Sequence, residues 1–266
     1  MNRRKFFAFV GVAIAGFLLT IGLPLLTPST STVVAQSNTS LLVSTAASLK
    51  EAMEEIKTNY QRTRSGVTIN YNFGASGALL QQIQQGAPAD IFISAAKRQI
   101  DTLEQSGELV AGTRSILAKN RLVLIVPKSS TGVTSFLNLT RDNIRKIAIG
   151  EPRSVPAGQY AEQVLKQLKI YDKVKSKFVY ANNVRQVLAA VEAGNADAGL
   201  VYRTDAAISQ RVKTVVAADE KFHSPITYPM GVLKKSKNVA AATEFINYLS
   251  SEQARSVLKK YKFILP

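Results

Sequence analysis

The chain has 266 residues, with 34 lysines and arginines against 18 aspartates and glutamates, no cysteine, no tryptophan and one histidine. Without cysteine there is no thiol nucleophile, no disulfide and no thiolate-ligated zinc or iron–sulfur site, and His223 alone cannot build a multi-histidine metal centre within one chain. The formal charge of +16 leaves nucleic acid, an anionic surface or a small anion as partner classes.

Arg3, Arg4 and Lys5 precede an apolar stretch from Phe6 to Leu26, and Val33-Val34-Ala35 supplies the small residues a signal peptidase reads. Residues 1–35 are therefore expected to be an export signal. The order Arg3-Arg4-Lys5-Phe6-Phe7 resembles a twin-arginine signal, and it serves equally as an ordinary basic start for the general export route. The stretch is also long enough for a retained anchor, which Gly11, Gly16, Gly22 and Pro24 disfavour. Its removal takes away three basic residues and no acid, leaving +13 of the +16.

Residues 36–40 read as a polar linker, so the folded part is expected to begin at Leu41. From there short apolar runs alternate with segments of helical period, the pattern of an α/β architecture. Strands are expected over 41–46, 67–73, 90–94, 121–127, 146–149, 198–202, 214–218 and 226–233. Between them Leu49, Ala52, Met53, Ile56 and Tyr60 share one helical face, as do Val184, Val187, Leu188 and Val191, and Tyr160, Val164 and Leu168 form a third stripe. A long helix over 238–261 closes the chain.

The basic clusters Lys173/Lys175/Lys177, Lys234/Lys235/Lys237 and Lys259/Lys260/Lys262 are not interleaved with aromatics as a single-strand binding groove requires, so no nucleic acid is expected. Hydrolase chemistry has no Gly-x-Ser-x-Gly elbow, and His223 stands in a loop with no partner nucleophile. Glu151, Arg153, Arg185, Arg203 and Asp205 are charges expected to be solvated or paired on loops, with Arg185 as electrostatic support for an anion. No catalytic residue is assigned.

Several helices begin in residues that leave backbone N–H groups open. Ser48 opens the helix near Leu49, Ser76 precedes Gly77-Ala78-Leu79-Leu80, Pro156-Ala157-Gly158 opens the helix through Leu168, and Asn182-Asn183 opens the next. Each start offers free donors and the positive end of a helix dipole, which suits an anion. Capping alone explains each one singly.

Taken together, Ala46-Ala47-Ser48-Leu49, Phe73-Gly74-Ala75-Ser76-Gly77, Gly86-Ala87-Pro88-Ala89-Asp90-Ile91-Phe92-Ile93-Ser94-Ala95, Val155-Pro156-Ala157-Gly158-Gln159-Tyr160-Ala161, Asn183-Val184-Arg185 and Gly199-Leu200-Val201-Tyr202 stand in an order and wording that resemble the periplasmic molybdate-binding proteins, the solute receptors of molybdate ABC importers. The resemblance implies a type II periplasmic-binding fold, with two α/β lobes, two crossing hinge strands and the anion in the cleft. Lobe one would be 41–120 plus 228–266 and lobe two 121–227, with the crossings in 121–127 and 226–233. It also implies that Ser48, Ser76, Ala157, Val184 and Tyr202 hold the oxyanion, touching its oxygens and not the metal itself. No cofactor is implied, since molybdate or tungstate is cargo. The implied partners are a membrane permease and its ATPase, and the implied state is a periplasmic monomer.

In that set Ser48, Ser76 and Tyr202 offer hydroxyl protons, while Ala157 and Val184 offer only backbone N–H groups. A receptor for another tetrahedral oxyanion such as sulfate is the nearest rival, and an exported enzyme on the same fold a further one. A regulator would carry a helix-turn-helix ahead of the lobes, where only the signal and linker precede Leu41.

Overall fold

The computed structural model describes residues 38–266; the expected export signal and the first part of the expected linker lie outside the described residues. In chain order the first elements are β1 (Thr39–Ala46), α1 (Lys50–Thr63), β2 (Val67–Gly74), α2 (Ser76–Gln84), β3 (Ile91–Ile93), α3 (Lys97–Gln105) and β4 (Ser115–Lys119). The middle block holds β5 (Leu122–Pro127), β6 (Ile147–Gly150), α4 (Pro156–Gln167), α5 (Tyr171–Val174), β7 (Phe178–Ala181), α6 (Val184–Glu192), β8 (Ala198–Tyr202), α7 (Arg203–Ala207) and β9 (Val212–Ala217). The chain closes with β10 (Thr227–Val232), α8 (Val239–Leu249) and α9 (Glu252–Lys260).

Two five-stranded sheets result, in the orders β2-β1-β3-β10-β4 and β7-β6-β8-β5-β9. In the first, β1 runs parallel to β2 and β3, and β10 runs antiparallel to β3 and β4. In the second, β6 runs parallel to β7 and β8, and β5 runs antiparallel to β8 and β9. Helices cover these sheets, which is why central strands such as β3, β6 and β8 are buried along their whole length and read as unbroken apolar runs. The two sheets have one plan: parallel strands end at a common edge, and the following helices start there.

The linker expectation needs correction, because Thr39 and Ser40 already belong to β1, paired with Val67 and Thr68. Two strands escaped the sequence pattern. β4 lies at the edge of the first sheet, and β7 is an edge strand whose Val179 and Tyr180 face solvent, so neither shows a buried run. The single closing helix expected over 238–261 is two, because Ser251 caps the second one by accepting a hydrogen bond from the Ala254 N–H at 3.3 Å.

The crossings also differ from expectation. The runs 121–127 and 226–233 each belong to one sheet, with β5 paired to β8 and β9 and β10 paired to β3 and β4. The chain passes between sheets just ahead of each run, at Asn120-Arg121 and over 218–226.

Close packing of α4 on β6 depends on glycine. A Cβ on Gly158 would fall 2.0 Å from the Gly150 carbonyl oxygen, and one on Gly150 would fall 2.4 Å from the Val155 side chain. Gly158→Ala is expected to lower unfolding free energy by about 1–3 kcal/mol through overpacking, measured by urea denaturation. A variant as stable as the parent would show that α4 can withdraw from β6.

Candidate functional site

The segments that leave the strand ends converge on one small pocket. Ala46, Ala47 and Ser48 follow β1, Gly74, Ala75 and Ser76 follow β2, and Ala95 follows β3, all from the first sheet. Facing them, Val155, Pro156 and Ala157 precede and start α4, Asn183 and Val184 start α6, and Tyr202 ends β8. The space between these segments is small, and all five residues expected from the sequence line it. No ionisable side chain other than the Tyr202 phenol does so.

Each of the five has a local reason to face inward. Ser76 is the first residue of α2, and its Oγ accepts a hydrogen bond from the Ala95 N–H at 2.9 Å, so its own proton is free for the pocket. Ser48 does not cap α1, as its position had suggested. It sits inside a 3-10 turn (Ala47–Leu49) ahead of α1, with its Oγ 2.9 Å from the Tyr228 hydroxyl. Pro156 at the first position of α4 has no N–H, so Ala157 carries the first donor of that helix. The Asn183 side chain accepts from the N–H groups of Arg185 and Gln186, which leaves the Val184 N–H as the uncapped donor of α6. The Tyr202 hydroxyl is buried with no partner among the described residues. Burial holds this phenol well above its ordinary pKa, so it stays a donor.

The lobes touch around this pocket. The Gly77 N–H donates to the Ser154 carbonyl at 2.9 Å, and a Cβ on Gly77 would fall 2.6 Å from that same oxygen. Only glycine permits this approach. On another side Arg185 of α6 reaches Glu51 of α1, with one Nη 3.1 Å from a carboxylate oxygen, and its other Nη donates to the Ser48 carbonyl at 3.3 Å.

Glu151 and Arg153 are paired on a loop as expected, whereas Arg185, Arg203 and Asp205 stand on helices α6 and α7. Asp205 lies in α7 with no exposed surface, its Oδ1 2.7 Å from the Arg185 Nε and its Oδ2 accepting from the Tyr202 N–H at 3.2 Å. Arg185 is thus held between two carboxylates, and its charge is spent before it reaches the pocket. Arg153 remains exposed beside Glu151. Outside the pocket, the His223 ring packs edge-on to Tyr160 with its Nδ1 2.8 Å from the Ser224 carbonyl.

Tyr228 and Asn120 are the site neighbours that sequence reasoning missed. Tyr228 reads as one more core aromatic in an apolar run; the available signal was that a buried tyrosine needs a partner for its hydroxyl. The partners come from residues 180 and 108 positions away, Ser48 and Asn120.

Burial raises the Asp205 pKa to about 6, with Arg185 and the Tyr202 N–H opposing the rise and Glu51 adding to it. An acid with a raised folded-state pKa binds its proton more tightly in the native state. It therefore lowers stability as pH rises from the unfolded value near 3.8 through 6. Relative to Asp205→Asn, the parent should lose stability between pH 4 and 7, by about 1.4 kcal/mol for each unit of difference between folded and unfolded pKa. Paired urea titrations at pH 4 and pH 7 measure this. An unchanged difference between the two proteins would show that Arg185 neutralises the burial penalty.

The sequence profile of the bacterial extracellular solute-binding proteins matches residues 41–264. YvgL of Bacillus subtilis (strain 168), named as a substrate-binding lipoprotein of an ABC transporter, is 44% identical over 261 residues, covering 98% of each chain. The molybdate-binding protein ModA of Haemophilus influenzae is 37% identical over 224 residues, covering 82% of this chain and 87% of that one. The solved periplasmic molybdate-binding protein of Azotobacter vinelandii superposes with a TM-score of 0.77 at 27% identity, covering 85% of this chain and 99% of that one. Its two-lobed fold, with two mixed sheets and flanking helices, is the fold described above. The chain therefore belongs to the bacterial extracellular solute-binding proteins, in the group that includes the molybdate-binding proteins.

Proposed function

We propose that this protein is an extracytoplasmic receptor that holds one molybdate ion between its lobes and hands it to an ABC importer. The observation that carries this reading is the pocket lining: hydroxyl and backbone donors from both sheets, at helix starts, with no carboxylate among them. The ligands are Ser48, Ser76 and Tyr202 through their hydroxyls and Ala157 and Val184 through backbone N–H groups. The names of the relatives at 37% identity agree with that ligand.

A tetrahedral dianion without a proton is acceptor-only, so neutral donors satisfy it and the helix ends supply the compensating field. A monoprotonated phosphate would bring a P–OH with no acceptor to receive it, and an unmade buried bond costs about 1–3 kcal/mol. Sulfate carries no proton either, so only the size of the closed pocket discriminates against it. Tungstate is nearly the size of molybdate and is held equally well.

Ser48 and Ser76 come from one lobe and Ala157, Val184 and Tyr202 from the other. An anion held by both binds the closed arrangement better than the open one, and that difference shifts the population. The closed pair of lobes is what the permease, backed by its ATPase, reads. The receptor is a periplasmic monomer and catalyses no reaction. It lacks the cysteine that would carry a lipid, in contrast to what the name of the YvgL lipoprotein implies for that relative.

Calorimetric titration of residues 36–266 with molybdate, then displacement with tungstate, sulfate and phosphate, tests the reading. One-to-one binding of molybdate and tungstate that sulfate and phosphate do not displace is expected. Sulfate binding as tightly as molybdate would reassign the cargo, and no binding of any of the four would remove the anion reading altogether. Ser76→Ala is expected to weaken molybdate by about tenfold or more through a lost charge-assisted hydrogen bond. Gly77→Ala is expected to weaken it as well, with the unfolding transition unchanged, because the new methyl props the lobes apart at Ser154. Unaltered affinity in Gly77→Ala would mean that binding needs no closure at that contact.

A further inference from the structure

Behind Ser48 a buried chain of side chains runs to the point where the backbone passes between lobes. The Asn120 Oδ1 accepts from the Arg121 N–H at 2.9 Å, which identifies the other end of that amide as its nitrogen. The two protons on Nδ2 then go to Thr204 Oγ1 at 2.9 Å and to the Tyr228 hydroxyl oxygen at 3.1 Å. Tyr228 in turn stands 2.9 Å from Ser48 Oγ. All four side chains are buried, and they join β10 of the first lobe, the crossing residue and α7 of the second lobe.

We propose that Asn120 and Tyr228 are positioning residues that set the direction of the Ser48 hydroxyl, making Ser48 an obligate donor to the anion. This rests on the proposed oxyanion reading of the pocket. The amide can only donate from Nδ2, so the Tyr228 oxygen is an acceptor there, and among the described residues its own proton has one oxygen to go to, Ser48 Oγ. The reverse order would leave a buried phenol proton unbonded, which is the costlier arrangement. Burial also holds Tyr228 far above its ordinary pKa, so that proton stays in place. With Oγ occupied by the Tyr228 proton, the Ser48 proton turns to the pocket that Ser48 lines. Ser76 is polarised in the same sense by the Ala95 N–H. The consequence is chemical selectivity: each serine has its proton directed to the ligand and one lone pair committed to a protein donor, so an acceptor-only anion suits both better than a protonated one does.

Two experiments test the direction. Neutron diffraction from deuterium-exchanged crystals locates the Tyr228 and Ser48 deuterons with no anion needed. The expected result is the Tyr228 deuteron pointing at Ser48 and the Ser48 deuteron pointing into the pocket; a Ser48 deuteron pointing at Tyr228 overturns the proposal, whatever the pocket binds. Calorimetry of the exported protein then compares molybdate with phosphate. Tyr228→Phe should weaken molybdate by about tenfold while phosphate is not weakened, because the Ser48 hydroxyl is then free to turn and accept from the P–OH. Equal weakening of both anions would reduce Tyr228 to packing. Asn120→Asp replaces the donor with an acceptor and reverses the chain, so it should weaken molybdate at least as far as Ser48→Ala; a smaller effect in a folded protein counts against the proposal. Should that variant fail to fold, Tyr228→Phe and the deuteron positions decide. Absence of molybdate binding by the parent protein would sink the cargo assignment and leave the neutron result to judge the hydrogen-bond direction alone.

Discussion

Everything at the pocket depends on unpaired backbone donors at the starts of helices. A parallel strand delivers the chain to one edge of its sheet, and the helix that returns from that edge begins with N–H groups that no turn of helix can satisfy. Here two such edges face one another. The first sheet contributes the Ala47–Leu49 turn and α2, and the second contributes α4 and α6. What each helix start leaves open is decided by its neighbours: Pro156 removes one donor and Asn183 occupies two, so Ala157 and Val184 remain.

Formal charge is kept out of this arrangement, although the chain carries +16 overall. Arg185, whose guanidinium reaches the Ser48 carbonyl, is fastened between Glu51 of one lobe and the fully buried Asp205 of the other. A charge inside the pocket would hold its counter-ion strongly in either lobe arrangement, whereas neutral donors divided between lobes act in concert only when the lobes meet. The contact of Gly77 with Ser154 sets how near they come, since no side chain fits between them. The Asn120 amide, at one of the two passages between sheets, is joined to Ser48 through Tyr228 and to Thr204 on the other side.

Much of the fold was legible because the governing signals are local. Runs such as 121–127 and 198–202 are apolar enough to announce buried strands, and the stripe from Leu49 to Tyr60 announces an amphipathic helix. Where burial was partial the signal failed, as at β7, whose outward residues reach solvent, and at β4 on the sheet edge. The pair Ser250-Ser251 divides the last helical segment, a break that the apolar period alone does not register.

The sequence by itself determined the α/β alternation and the helix starts, because propensity and capping act over a few neighbouring positions, and its resemblance to the molybdate-binding proteins pointed to five of the residues that line the pocket. Tertiary structure alone decided that Asp205 is buried against Arg185, that Gly77 meets Ser154, that the passages fall just before β5 and β10, and that Tyr228 stands between Ser48 and Asn120. Those pairings join residues on different elements, and the geometry that satisfies a buried carboxylate or phenol exists only once those elements have packed together.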